Sequence, residues 1–182
     1  MRLPLLLVLS LATATTAASA QTTWQGLHFG ESRDDVHTQL TAQNLPVGTS
    51  QDGSLQSNTD YELPLPGLRH TFPMLVNFHF DDNATLADIT LSLDLSGMRR
   101  YWAAVGSDEA LSSFAAEHLT TALSGRYGAP LYRSTTCDAE PKQGSSCVVS
   151  WHGTDQTVEL EHLSTPNGPR LLIHYQPLAT AL

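Results

Sequence analysis

Residues 74–95 read MLVNFHFDDNATLADITLSLDL, and the apolar side chains in this stretch recur at every second position. Met74, Val76, Phe78 and Phe80 fall on one face of an extended chain, with Leu75, Asn77 and His79 on the other. Asp81, Asp82 and Asn83 supply a turn. Beyond it Ile89, Leu91, Leu93 and Leu95 alternate with Asp88, Thr90, Ser92 and Asp94. The pattern predicts an antiparallel hairpin with Phe78 opposite Ile89 on the apolar face and His79 opposite Asp88 on the polar face. Such a pair must bury one face against something else, so the rest of the chain is read for what covers it.

Two segments have helical spacing. Ser107 is placed to cap a helix with Asp108 and Glu109 in its first turn, and Leu111, Phe114, Ala115, Leu119, Ala122 and Leu123 share one face before Gly128 and Pro130 end it. Upstream, Ser32 caps a shorter helix from Arg33 to about Gln43, with Val36 and Leu40 as its apolar stripe. Further strands are expected at Thr23–Phe29, Tyr61–Leu68, Leu131–Thr136, Cys147–His152, Thr157–Leu163 and Arg170–Gln176. Pro64 and Pro66 confine the second of these to an edge. Val47–Asp60, rich in Gly, Ser, Gln and Asn, reads as a mobile loop. The fold class is therefore α+β, with helices packed on one face of an antiparallel sheet. Helix-then-strands order occurs twice, in 21–97 and 98–182, within a single domain spanning 21–182.

The first twenty residues stand apart. Arg2, an apolar run from Leu3 to Leu11 and the small residues Ala18-Ser19-Ala20 form an export signal, so a mature chain is expected to start near Gln21 and to be periplasmic or secreted. No segment reaches the roughly 20 apolar residues of a membrane span. The full chain of 182 residues carries a formal charge of −9, and the mature part, having lost Arg2, one of −10. That surface repels phosphate backbones, which argues against a nucleic-acid partner. Cys137 and Cys147 are the only two cysteines, and in an oxidising compartment they are expected to pair. The short loop they close corresponds to roughly 2.5–3 kcal/mol of stabilisation by chain entropy.

Three groups of residues bear on function. Met98-Arg99-Arg100-Tyr101-Trp102 sets two of the few basic residues beside two aromatics, the side-chain types enriched at binding hot spots, in what reads as an ordered linker. The competing reading has Tyr101 and Trp102 plugging the end of the core while the arginines are solvated. Aligning Trp151 with Val158 and Leu160 with Ile173 puts Ser150, Glu159 and His174 in one cross-strand row, with His152 diagonal to Glu159. Two imidazoles and a carboxylate are adequate ligands for zinc or copper. His118 and His162 fall on apolar faces and read as packed histidines. No His-Glu-x-x-His helix, no Gly-x-Ser-x-Gly elbow and no cofactor motif is present in the sequence.

Trp24, Gly26, Phe29-Gly30, Ser32 and Val36, the helix ending Arg126-Tyr127-Gly128-Ala129-Pro130, and the Trp151 strand resemble small exported bacterial proteins of the β-lactamase-inhibitor-protein and BamE/SmpA fold group. The chain departs from the lipoprotein members in having no cysteine for lipidation after its signal. The resemblance implies a binding module without catalysis. The expected function is thus an exported, non-enzymatic module that engages a protein or ligand of the cell envelope. A metal or small-ligand carrier is the alternative, followed by an unrecognised hydrolase.

Overall fold

The computed structural model of the protein describes residues 24–65, 67–138 and 144–178; the export signal expected over 1–20 and the edge proline Pro66 lie outside the described residues. In chain order the elements are α1 (Arg33–Ala42), β1 (Val47–Thr49), β2 (Leu55–Ser57), β3 (Tyr61–Leu63), β4 (Phe72–Phe80) and β5 (Leu86–Leu93), then α2 (Leu95–Trp102) and α3 (Asp108–Tyr127). They are followed by β6 (Tyr132–Arg133), β7 (Ser146–His152), β8 (Gln156–Thr165) and β9 (Gly168–Pro177). Among the described residues these nine strands make one antiparallel sheet in the order β1-β2-β4-β5-β9-β8-β7-β6, with β3 pairing with the start of β4.

The hairpin has the expected register: Phe78 faces Ile89 and His79 faces Asp88. A bulge at His79 and Phe80 precedes the turn, where the Asp81 carboxylate accepts from the backbone N–H groups of Asn83 and Thr85 at 3.0 and 2.9 Å. The register continues across the molecule in two apolar rows. One runs Phe78, Ile89, Tyr175, Val158, Trp151 and the other Val76, Leu91, Ile173, Leu160, Val149. All ten side chains are buried. Period-two alternation on β4, β5, β7, β8 and β9 therefore builds one continuous inner face.

The helices close over that face. α3 packs on β7, β8 and β9 through Leu111, Ala115, Leu119 and Leu123, and α2 wedges against β4 and α3 with Met98 fully buried. α1 contributes Val36 and Leu40 to the same core. Its Ser32 cap accepts from the Asp35 N–H at 3.3 Å, and Ser107 caps α3 by accepting from Ala110 N–H at 3.2 Å. The α+β class and the helices-on-one-face layering are thus observed.

Four expectations are corrected. Val47–Asp60 is not a loop throughout: it folds as the β1–β2 pair, because Leu55 buries itself opposite Phe78 and the buried Ser57 hydroxyl accepts from the Val76 N–H at 2.9 Å. The polar residues between these strands satisfy each other, since the Asp52 carboxylate accepts from Ser50 Oγ and from the N–H and hydroxyl of Ser54. Those hydrogen bonds, led by that of Ser50, hold the exposed Asp52 far below the usual carboxylate range. Thr23–Phe29 is not a strand: over its described part Trp24 and Leu27 bridge a tight turn with Gln25 at φ 49° and Gly26 at φ 86°.

The Met98–Trp102 segment is helical and not a linker. Asp94, which the sequence pattern counts as a strand residue, caps α2 by accepting from the N–H groups of Ser96 and Gly97 at 3.0 and 2.7 Å. Gly97 is required there, because a Cβ would sit 2.8 Å from Pro73 Cγ and 2.5 Å from the capping carboxylate. Finally, Leu131–Thr136 contracts to the two residues of β6. A 3-10 turn at Thr135–Asp138 then swings Cys137 towards β7.

Candidate functional site

Because α1, α2 and α3 contribute to the core on one side, the side chains of opposite parity form a second surface that no helix among the described residues covers. Its central row runs Asn77, Thr90, His174, Glu159, Ser150 and, on the edge strand, Tyr132. On one side of it lies a row of Leu75, Ser92, Leu172, Glu161 and Val148. On the other side His79 and Asp88 pair, and His152 ends β7. These side chains are half-buried by their strand neighbours, except Tyr132 and His152, which are exposed.

The row of Ser150, Glu159 and His174 is as the alternation requires, but the His174 ring makes its contacts elsewhere. Its Nδ1 lies 3.3 Å from Thr90 Oγ1 and its Nε2 lies 3.9 Å from Glu161 Oε2. Thr90 in turn donates to Asp88 Oδ1 at 2.9 Å, and His79 Nε2 lies 3.9 Å from the same oxygen. With its proton directed to Asp88, the Thr90 hydroxyl accepts from His174 Nδ1–H. A chain of five polar side chains, His79, Asp88, Thr90, His174 and Glu161, therefore crosses three strand boundaries. Glu161 was missed as the partner of His174 because strand register fixes which residues are opposed, while the long glutamate and the ring select the diagonal. Among the described residues no three His, Cys, Asp or Glu side chains are grouped to hold a metal ion. The expected set of His152, Glu159 and His174 does not form such a group.

The second candidate surface is tied into the fold. Arg99 pairs with Asp108 at 2.6 Å and Arg100 with Asp60 at 3.3 Å, so neither arginine is simply solvated. Trp102 is half-buried against Phe114, with ring centroids 4.9 Å apart, and packs edge-on to Phe72. Tyr101 remains 48% exposed and stacks on His70 at 5.1 Å. Trp102 thus supports the core end, and the outward part of the segment is Tyr101 with the two paired guanidinium groups. Leu131 and Tyr132, at 67% and 55% exposure, are more open than Tyr101. Only their position just after the proline that ends α3 hinted at this, since a two-residue strand carries no alternation to read.

A polar cleft of about 450 Å³ lies between α3 and the β7–β8 end of the sheet, with the Cys137–Cys147 disulfide in its wall. Hydroxyl groups of Ser113, Thr120, Thr136 and Ser164 line it beside His162. The His162 ring meets the underside of α3, where its Nε2 and the Oε1 of Glu109 are both buried without hydrogen-bond partners among the described residues. Burial lowers the imidazole pKa from its ordinary value, and the nearby Glu109 charge opposes this in part.

The folded chain accordingly favours neutral His162. Its contribution to stability is fully present above the unfolded value of 6.5 and is lost as pH falls through the lower folded value. The stability difference between wild type and His162→Gln, read from urea unfolding, is expected to shift against the wild type between pH 7.5 and 5. A difference constant over that range would contradict the assignment.

No family model, curated protein or solved structure matches the chain. The disulfide fits an extracytoplasmic protein. Among the described residues no helix is long and apolar enough to cross a membrane.

Proposed function

We propose that this chain is an exported, non-catalytic binding module of the cell envelope, and that it meets a protein partner with the uncovered face of its sheet. The supporting observation is the layering. Among the described residues α1, α2 and α3 pack on one face, which leaves Leu75, Leu172 and Val148 half-buried among polar side chains on a broad face with Tyr132 at its rim. Mixed aliphatic, aromatic and hydrogen-bonding groups on a rigid platform are the composition of a protein contact. Hydrogen bonds hold the Asp88, Thr90 and His174 side chains of that platform in place, which lowers the side-chain freedom lost there on association. The export signal in the sequence and the disulfide support the envelope location.

A small-ligand carrier is the second reading, favoured by the hydroxyl-lined cleft beside the disulfide. The Arg99 to Trp102 segment is a subsidiary contact at most, since its arginines are engaged by Asp108 and Asp60.

The test is capture from a native envelope extract with the chain from Gln21 onward as bait. Leu172→Arg, on the open face, is expected to reduce recovery of a specific partner by tenfold or more, roughly the loss of one hot spot. Arg100→Glu combined with Tyr101→Ala is expected to leave recovery within about twofold. Equal recovery by wild type and Leu172→Arg would remove the sheet face as the contact.

A further inference from the structure

We infer that the partner of the open sheet face is a basic, extended protein segment whose Arg or Lys side chains are received by Glu159 and Glu161. This rests on the sheet face being the contact surface.

Both glutamates point outward from β8, two residues apart on one strand. That repeat sets their Cα positions roughly 7 Å apart, the spacing of alternate side chains on any second extended chain laid alongside. Each carboxylate has flanking residues of a defined kind. Glu161 lies between Leu172 on β9 and Val148 on β7, and Glu159 lies between His174 and Ser150. The aliphatic pair would pack the methylene stem of a basic side chain while its head reaches the carboxylate. Tyr132, at the end of the Glu159 row and 55% exposed, offers a ring face for a guanidinium group.

Charge selects the occupant. Among the described residues of this face Asp88, Glu159, Glu161 and, on β3, Glu62 are acidic and Arg170, at the far end of β9, is basic. Glu159 has no hydrogen-bond or ion-pair partner among the described residues, and Glu161 has only the 3.9 Å approach of His174. The full chain adds a formal charge of −9, which draws cationic segments in and turns anionic ones away. A strand surface with two outward carboxylates at the extended-chain repeat therefore suits a cationic strand better than a helix, whose neighbours on one face recur at three and four residues.

The probe is a synthetic dodecapeptide of alternating Arg and Thr, titrated into the isotopically labelled chain from Gln21 onward and followed by amide chemical shifts. Shifts are expected to concentrate at 148–150, 159–161 and 172–174. Glu159→Gln with Glu161→Gln should weaken binding roughly tenfold. Asp34→Asn with Asp82→Asn, which removes the same charge from α1 and the β4–β5 turn, should weaken it less than about twofold. Equal weakening by the two pairs, or shifts spread over the acidic surface, would overturn the inference by showing attraction to net charge alone. If the envelope partner is lost with Leu172→Arg but survives Glu159→Gln with Glu161→Gln, the sheet face stands as the contact and the basic partner falls. If Leu172→Arg has no effect, the sheet-face reading fails first.

Discussion

Trp151→Ala is expected to lower the free energy of unfolding by about 3–5 kcal/mol. The side chain is fully buried, the largest of those with no exposure, and stands at the end of the row that runs from Phe78 through Ile89, Tyr175 and Val158. Neighbours on a rigid sheet cannot collapse into the space it leaves, so the cavity term adds to the lost transfer free energy. For a domain of this size the change corresponds to a fall in melting temperature on the order of 10 °C. Trp151→Phe separates packing from polarity. The indole Nε1 is buried without a partner among the described residues, so phenylalanine loses volume but also relieves an unmet donor. Its loss should stay below that of the alanine variant. Urea unfolding of both variants checks this, and a loss under about 1 kcal/mol for the alanine variant would mean that Trp151 is not a core residue.

Replacing both Cys137 and Cys147 by serine is the second large effect, about 2.5–3 kcal/mol from loop entropy alone. The bond joins the 3-10 turn after β6 to the start of β7 across a sequence separation of 10, where β6 itself spans two residues. The rest of the molecule is held by long ladders and a continuous core, so the damage should be local as well as global. Amide exchange at Leu131 and Ser134, which donate to Ser150 and Val148 across the β6–β7 pair, is expected to accelerate more than exchange in β4 or β5. Uniform acceleration would place the bond's role in the unfolded state only. Unchanged stability in urea would contradict the entropic account altogether.

What was legible in the sequence follows from period and caps. Alternation over 74–95 fixed the hairpin and its pairs, and the same logic placed Trp151 against Val158 and Leu160 against Ile173. α3 was legible from Ser107 to Gly128 because a strong cap, an apolar face and a breaker agree along 20 residues. α2 was hidden by its content: Gly97, two arginines and two aromatics carry little helical signal, and the buried Met98 and the Asp94 cap take their meaning from packing on Pro73 and α3. β1 and β2 were hidden because Leu55 is the sole large apolar residue between Val47 and Asp60, and it became a strand residue through contact with Phe78, over twenty residues away. At the candidate site, opposition of Glu159 and His174 was readable, and the reach of His174 to Glu161 and Thr90 was not. Side-chain torsions can carry a long side chain past the directly opposed neighbour to a diagonal one, and register alone does not say when.

The seam between β5 and β9 has a consequence for how the molecule is made. Thr90 and His174 are 84 residues apart in sequence yet lie side by side, and among the described residues the β5–β9 ladder is the one strand pairing that unites the strands before α2 with those after α3. Until β9 pairs with it, β5 has its β4 edge filled and its other edge open along Ile89 and Leu91. Closing that edge pairs β5 with β9 across α2, α3 and β6–β8, a non-local step of the kind that slows folding to the millisecond-to-second range. Until it closes, β5 can accept the wrong strand, including one from another copy. The polar residues Asp88, Thr90 and Ser92 on its outer face keep at least one side of the open hairpin wet, which opposes such mispairing.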